Sequence, residues 1–369
     1  MIETQTKLKK IREFLSKTGS AAVLLRGTDW FYWLTGGGNN SVLLTSESGV
    51  AEALITETKA FILTDPIEES RLKREELPAS CFEVVVFPWW NPLAASDFVR
   101  AEVKRTPLLT DRPLLSDERR LPASFRKLRA VLTAEEIKRY RGLGKEAAEA
   151  MYEALLRAQP TWTERQLAAE GMKNLFEKGI HPALVLVAGE RRLPLYRHPL
   201  PTEELLGSRA MMVFCARRHG LYANLTRFVA FSPLSAEEER NHDLVAGFED
   251  LALSASRPGA TLEEIYLKIR KGYAAKNLEA EADRQHFGGT TGYLSRERIA
   301  RPATGGEEPW VLSLNQALAW NPTLPGAKIE DTILLTGQGI EFLTLDSAWP
   351  SKHIVQKHHR LRPEVWIRQ

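Results

Sequence analysis

Polar side chains that could bind a ligand or transfer protons recur at four places in the second half of the chain. The first is VFCARRHGLYANLTR, residues 213–227, which predicts two β-strands joined by a charged turn. Strand alternation puts Tyr222, Asn224 and Thr226 on one face, as the floor of a polar site. The other three places are residues 286–293, Asn321 and Glu330. If the four meet, they form a pocket of amide, hydroxyl, imidazole and carboxylate groups.

Two side chains of this half are candidates for acid–base chemistry. An imidazole suits proton transfer near neutral pH, which favours His198, and a hydrogen-bonded structural histidine is an equal alternative. Glu330 lies on an otherwise apolar strand, where a carboxylate needs a partner. The candidates for that partner are Lys328, Arg227 and His198. His286 either packs in the core or faces the pocket.

Composition excludes several classes of protein. The 369 residues predict two or three domains, and 43% apolar with 26% charged residues is typical of a globular chain. A net charge of +3 gives no reason to expect nucleic acid as a partner. No stretch approaches the roughly 18 apolar residues of a membrane span. Cys81 and Cys215 lie in apolar surroundings and predict buried thiols rather than a disulfide, with cytoplasmic residence as the default.

The first half predicts a small α/β domain, residues 1–130. An amphipathic helix ends at Gly19, and the apolar run AAVLLRG predicts a buried strand. The segment DWFYWLTGGGNN is aromatic and then glycine-rich, which favours a strand end running into a loop. Further strand candidates are SVLLTS, AEALITET, AFILTD and EVVVFPWW, with one helix at residues 68–76.

The second half, residues 131–369, has a different pattern. Four S/T-x-x-E sequences predict capping boxes, each ahead of an apolar helical stripe. They lie at Thr133/Glu136, Thr161/Glu164, Ser235/Glu238 and Thr261/Glu264. Strands follow each pair of helices, an order that predicts an α+β fold with two similar halves around one curved antiparallel sheet.

Three short motifs carry a resemblance to a known family. They are R-H-P at 197–199, N-L-T-R at 224–227 and K-I-E-D-T at 328–332. With their order and spacing, the second half resembles the pita-bread fold of methionine aminopeptidase, Xaa-Pro aminopeptidase, prolidase and creatinase. The first half is similar to the creatinase-type N-terminal α/β domain in its basic helix, its strand and the DWFYWLTG segment. The resemblance also implies a homodimer.

The metallopeptidases of this family hold two metal ions with two aspartates, a histidine and two glutamates. Four of those positions correspond in this chain to Val213, Asn224, Thr290 and Asn321, and only Glu330 keeps a carboxylate. Two divalent cations need several anionic oxygens or imidazoles. One carboxylate, two amides, a hydroxyl and a valine do not supply them. The resemblance therefore implies a divergent member without the dinuclear site, with no metal and no cofactor.

Other pocket positions of the family persist. His198 matches its substrate-binding histidine, and His286 matches the first histidine of its H-G-x-G-H pattern. In creatinase, which is metal-free, the histidine corresponding to His198 acts as acid and base, and the glutamate corresponding to Glu330 contacts the guanidino group. The resemblance thus implies a metal-independent hydrolase of a small C–N-bonded substrate, with these two residues catalytic. The expected substrate contacts are Asn224, His286, Thr290, Asn321 and Arg227.

A second hypothesis is a catalytically inactive pseudo-peptidase that keeps the pocket to bind a peptide or small amide. An active dimetal aminopeptidase is disfavoured by the ligand count. Both leading hypotheses predict a small molecule or short peptide as partner, and neither nucleic acid nor membrane. Trp89 and Trp90 are candidate anchors at a dimer contact.

Overall fold

The computed structural model describes residues 1–91, 93–103, 107–354 and 360–368. It divides into two compact units, Met1–Glu136 and Ile137–Gln369. The sequence predicted this division after residue 130. The structural division follows residue 136, since the buried carboxylate of Glu136 pairs with Lys7 at 2.8 Å and fastens the start of the next helix to the N-terminal unit.

The N-terminal unit contains one mixed sheet and short helices. Its strands are β1 Ala22–Gly27, β2 Ser48–Thr56, β3 Ala60–Thr64, β4 Glu83–Val86, β5 Leu108–Thr110 and β6 Glu118–Arg120. Its helices are α1 Ile2–Thr18, α2 Thr28–Thr35, α3 Glu69–Arg71, α4 Ala94–Glu102 and α5 Lys127–Ala130. The strand order is β4-β3-β2-β1-β5-β6. β1 and β3 are buried along their whole length, as their apolar runs predict for inner strands.

Two segments of this unit differ from the prediction. Thr28–Thr35 forms the helix α2 rather than a strand end, and Gly36 ends it with a left-handed φ of 80°. Because every residue of α2 is buried, the segment has no polar face by which its helical period could be recognised. Residues 42–44, within the predicted strand SVLLTS, lie exposed in turns and bends.

The C-terminal unit contains the remaining elements. Its helices are α6 Ala134–Arg157, which runs across the division, α7 Glu164–Glu177, α8 Ala236–Ala255, α9 Leu262–Ala274 and α10 Glu279–Ala282. Its first strands are β7 His181–Gly189, β8 Arg209–Arg218, β9 Leu221–Ala230, β10 Gly288–Thr291, β11 Arg298–Ile299 and β12 Ala317–Trp320. The others are β13 Thr323–Leu324, β14 Ala327–Lys328, β15 Asp331–Thr336, β16 Gly339–Phe342, β17 Ser351–Ile354, β18 Arg360–Pro363 and β19 Trp366–Ile367. Among the described residues, no helix has the length and apolar character needed to cross a membrane.

In place of the predicted single sheet, this unit has two main hydrogen-bonded sheets that meet beside β9. Their strand orders are β19-β9-β8-β7 and β11-β10-β12-β15-β16. The junction is an isolated antiparallel bridge between Thr226 of β9 and Glu330, in which the Thr226 N–H donates to the Glu330 carbonyl at 3.0 Å. Pairing does not extend along β9, because β19 occupies the edge of that strand at Val229.

β8 and β9 form the predicted hairpin. Its turn consists of His219 and Gly220, both with positive φ, as two-residue hairpin loops require. The resulting register sets Cys215 opposite Asn224. Asn224 and Thr226 therefore share one face of β9, as alternation predicted.

Capping boxes begin most of the long helices, as predicted. Those at Thr133/Glu136, Ser235/Glu238 and Thr261/Glu264 are present. The box predicted at Thr161 and Glu164 is wrong, because α7 starts later, with Thr163 as N-cap and Gln166 completing the box. Glu164 is buried instead, and its carboxylate accepts the Gly189 N–H at 2.9 Å.

A buried ion cluster joins α8 to β9, β15 and β18. Arg362 donates to Glu249 through Nε at 2.7 Å and Nη2 at 2.6 Å, and also to Asp331 at 2.7 Å. Asp331 accepts a second guanidinium, that of Arg227, at 2.8 Å. The four side chains are almost completely buried, so that two cations and two carboxylates compensate each other away from water.

Arg362→Met should lower the free energy of unfolding by about 3–5 kcal/mol, because it leaves buried carboxylates with too few partners. Urea denaturation followed by circular dichroism measures the loss. The matched control is Lys352→Met, which removes the exposed pair with Asp243 and should cost less than about 1 kcal/mol. Equal losses in the two variants would contradict a supporting role for the cluster.

Candidate functional site

A cavity of about 220 Å³ in the C-terminal unit brings together polar residues from separate parts of the chain. Its lining consists of Arg197, His198, Arg284, Gln285, His286, Asn321, Thr323 and Lys328. The rings of His198 and His286 have their centroids 6.5 Å apart. Three of the predicted site residues, His198, His286 and Asn321, thus line one cavity.

Short segments next to strands hold these side chains. His198 lies in the connection from β7 to β8, and His286 lies just ahead of β10. Asn321 follows β12, and its N–H donates to the Phe287 carbonyl at 2.9 Å, which holds it beside His286. Lys328 pairs across the β13–β14 ribbon with Thr323, another residue of the cavity wall.

Glu330 lies behind the cavity wall and is engaged on both carboxylate oxygens. Its Oε2 accepts the Thr226 hydroxyl at 3.0 Å and is 3.1 Å from Lys328 Nζ. Its Oε1 accepts Arg296 Nη2 at 2.7 Å. Burial alone raises the pKa of this carboxyl, but the charges of Lys328 and Arg296 outweigh burial and lower the pKa to about 2. Glu330 is therefore ionised at every physiological pH.

Asn224 is fully buried and belongs to the same group of contacts. Its backbone N–H donates to the Thr332 hydroxyl at 2.7 Å. Its side-chain amide donates to Thr291 Oγ1 at 3.2 Å and to the Ser295 carbonyl at 3.5 Å. The threonine that contacts Asn224 is thus Thr291, whereas the predicted Thr290 pairs through its backbone with Leu318 and has a buried hydroxyl.

Both histidines of the cavity are uncharged near neutral pH. Burial lowers the pKa of His198, Lys328 and Arg296 lower it further, and Glu330 opposes them in part. Burial lowers the pKa of His286 to about 4, with Arg296 adding to the effect. An uncharged imidazole can accept a proton, which is the state that a general base needs.

The side chains of two residues of the predicted set or of its family positions make their main contacts elsewhere. Arg227 points to the other face of β9, where its guanidinium donates to Asp331 and to the Thr344 carbonyl at 2.8 Å each. It lines a different cavity of the C-terminal unit. Val213 packs in an apolar cluster with Leu186, Met211 and Phe228 among others.

Sequence reasoning missed Arg296 and left Thr226 and Cys215 without a role. Arg296 follows the run HFGGTTGYLS, which has neither strand nor helix periodicity to show where its side chain points. The alternation along β9 did signal Thr226, which bonds Glu330. Cys215 lies opposite Asn224, and burial raises the pKa of its thiol to about 11, so the thiol is not a ready nucleophile.

Five buried polar atoms around this site have no hydrogen-bond partner among the described residues. They are Asn224 Oδ1, His286 Nδ1, Thr290 Oγ1, Arg296 Nε and Asn321 Oδ1. Such atoms are uncommon in folded proteins because each one costs free energy unless water or a ligand satisfies it. Their concentration at one place is typical of a polar binding site.

The family comparison matches nearly the whole chain. Residues 138–337, more than half of it, match the family model described as metallopeptidase family M24. Residues 7–144 match the creatinase/prolidase N-terminal domain. No curated protein sequence matches the chain.

Solved structures of low sequence identity share the fold. The prolidase from Pyrococcus horikoshii OT3 has 21% identity and a TM-score of 0.78, over 93% of this chain and 99% of that one. The Xaa-Pro dipeptidase from Bacillus anthracis has 17% identity and a TM-score of 0.77, over 99% of both chains. The N-terminal domain of FACT complex subunit SPT16 from Cicer arietinum (chickpea) has 14% identity and a TM-score of 0.72, over 93% and 96%. These matches confirm the predicted α+β fold, a pita-bread C-terminal domain with a creatinase-type N-terminal domain.

The donor atoms at this site do not fit the metal ions that the family name implies. Among the described residues, no group of three or more His, Cys, Asp and Glu side chains could hold an ion. Asn224 and Asn321 offer neutral amides, which are weak ligands for transition metals. Glu330, the carboxylate kept among the five ligand positions, already binds two side-chain cations.

The purified protein should therefore carry less than one equivalent of transition metal per chain, and EDTA should leave its melting temperature unchanged. An ion that binds only the folded state raises that temperature, so its removal would be visible. Elemental analysis and thermal unfolding with and without chelator measure both quantities. About two equivalents of metal, together with a chelator-dependent melting temperature, would contradict the prediction.

Proposed function

Because the chain belongs to metallopeptidase family M24, we propose that it hydrolyses a short peptide or another small C–N-bonded substrate without a dinuclear metal centre. The family supports the substrate class, with Xaa-Pro dipeptides as the first candidates. The proposal that hydrolysis needs no metal rests on one observation: Arg296 and Lys328 each bind one oxygen of the Glu330 carboxylate. A carboxylate held in this way is not open to a metal ion.

His198 is the proposed general base and general acid. Its uncharged imidazole takes a proton from a water molecule as the water oxygen attacks the carbon of the scissile C–N bond. The imidazolium then gives that proton to the leaving nitrogen, and the C–N bond breaks. The hydroxyl of the water ends on carbon and its proton on nitrogen, so the imidazole returns to its starting state.

Glu330 is the proposed electrostatic partner of His198. With a pKa of about 2 it has no proton to give, so it acts through its charge. Lys328 and Arg296 both disfavour an imidazolium at His198, while Glu330 favours it. The carboxylate thus lowers the cost of the charge that His198 carries during the reaction.

The proposed substrate contacts are the polar groups left from the predicted set. They are Asn224, His286, Thr290 and Asn321. Each offers a neutral donor or acceptor, which suits the C=O and N–H groups of a peptide or amide. Arg227 is assigned a supporting role instead, because its guanidinium is held by Asp331 and Thr344.

The alternative of a catalytically inactive pseudo-peptidase is not favoured by the family match, and turnover separates the two hypotheses. The wild-type protein, stripped of metal, should be incubated with dipeptides, Xaa-Pro peptides and guanidino acids. Our proposal expects release of the amine product from at least one class. Binding of these compounds without turnover would favour the rival.

His198→Ala should abolish turnover of any substrate that the wild-type protein hydrolyses, while the fold stays intact by circular dichroism. The wild-type pH profile of kcat/KM should show an acid limb with its midpoint below about 6.5, the ordinary histidine value, because the pKa of His198 is lowered. Activity should therefore be lost as the pH falls through that lowered pKa.

The matched control is His181→Ala, at a partly exposed histidine of β7 outside the cavity. It should keep both the rate and the acid limb of the wild type. Retention of activity in His198→Ala would remove this residue from the mechanism and direct attention to His286.

We also propose a homodimer with the N-terminal unit contributing an apolar contact. Trp89 and Trp90 are 65% and 68% exposed, and Leu93 beside them is 62% exposed. Exposed apolar patches of this kind mark interaction sites. Light scattering at micromolar concentration should give the mass of two chains, and Trp89→Ser combined with Trp90→Ser should shift the population toward one. A monomeric wild-type protein would refute the dimer.

Cytoplasmic residence remains part of the proposal. Cys81 and Cys215 are free thiols, the state expected in a reducing compartment. Localisation of a tagged full-length chain by microscopy or fractionation tests it.

A further inference from the structure

We infer that the Arg296 guanidinium is an internal cation at the position where the family correspondence places a metal ion, and that it closes the pocket to divalent metals. Its Nη2 is 2.7 Å from Oε1 of Glu330, the one carboxylate kept among the ligand positions. The Ser295 carbonyl accepts both Arg296 Nη1 at 2.7 Å and the Asn224 amide at 3.5 Å. The guanidinium therefore lies against two of the former ligand positions.

The loop that carries Arg296 is fixed at both ends. The Tyr222 N–H of β9 donates to the Gly292 carbonyl at 2.9 Å, which ties the start of the loop to the hairpin. The Glu297 N–H donates to the Thr290 carbonyl at 2.9 Å, and its carboxylate accepts the Tyr293 N–H at 3.0 Å. Anchors on both sides of Arg296 hold its side chain where it meets Glu330.

The positive charge around Glu330 opposes the entry of a divalent ion. Lys328 engages the second oxygen of Glu330 at 3.1 Å, so two cations share one carboxylate and one positive charge is left over. A divalent ion would be repelled by both cations, and it would also have to break a buried ion pair to reach the carboxylate. A guanidinium stays protonated at all accessible pH values, so this barrier does not depend on pH.

This inference rests on the family correspondence of Glu330 and Asn224 and not on the proposed hydrolysis. Its test therefore measures metal binding rather than substrate turnover. A protein without hydrolase activity would leave the inference unaffected, and hydrolase activity would not by itself support the inference.

The test reinstates carboxylates and asks whether Arg296 still blocks the ion. One variant carries Asn224→Asp with Asn321→Glu, and a second adds Arg296→Met to the same two changes. Calorimetric titration with Mn²⁺ should show binding at least about tenfold tighter in the second variant, because the competing guanidinium is gone. Equal Mn²⁺ affinity in the two variants would overturn the inference.

A matched control replaces a neighbouring arginine of the same loop region. Arg298 pairs with Glu307 at 2.7 Å, away from Glu330, and both partners are partly exposed. Adding Arg298→Met to Asn224→Asp and Asn321→Glu should give the same Mn²⁺ affinity as those two changes alone, because Arg296 is still present. A gain as large as that from Arg296→Met would mean that overall charge, not the position of Arg296, controls access.

A second measurement applies if the carboxylate variants do not fold. In the native chain, Arg296→Met should lower the melting temperature, because Glu330 keeps its charge and loses a partner. Adding Glu330→Gln should recover most of that loss if compensation of Glu330 is the role of Arg296. A double variant no more stable than the single one would overturn the assignment.

Discussion

A buried carboxylate at the junction of two sheets is the constraint on which the C-terminal unit depends. Glu330 bridges to Thr226 through the backbone and also accepts the Thr226 hydroxyl, so the same residue joins the sheets twice. A lone carboxylate at such a place would cost several kcal/mol. Arg296 and Lys328 offset that cost, and their positions follow from it. The junction of the two sheets and the charge beside the pocket are therefore linked through one residue.

The neighbouring Asp331 is also compensated by cations, on the other side of the strand. Alternation turns its side chain away from Glu330, into the cluster formed by Arg227, Arg362 and Glu249. Two carboxylates adjacent in sequence thus bind different parts of the unit. Glu330 holds the loop after β10, and Asp331 holds α8 and β18 through Arg362. A shift of one residue in the register of this strand would turn each carboxylate to the opposite face, away from the cations that now pair with it.

Short sequence patterns correctly predicted the elements that depend on residues close together in the chain. The turn and alternation of the hairpin placed Asn224 and Thr226 correctly, and three capping boxes lie where hydroxyl and carboxylate spacing put them. Partners distant in sequence could not be predicted in this way. The bond of Arg296 to Glu330 spans 34 positions and starts from a loop without periodicity. The helix α2 was missed for a related reason, since full burial removes the polar face that distinguishes a helix from a buried strand.

The replacement of ions by an internal guanidinium changes what the rest of the pocket must do. A bound metal ion lowers the pKa of its water and so produces a nucleophile at neutral pH. A guanidinium has donors only and no open coordination position, so it can attract an oxygen but cannot make water acidic in this way. In the proposed hydrolysis, deprotonation of water then falls to a side chain that is uncharged near neutral pH. Glu330 is excluded as that base because its two oxygens are held by cations, and His286 is disfavoured by a pKa of about 4. His198, at the cavity wall, is therefore the base in the hydrolysis that we propose.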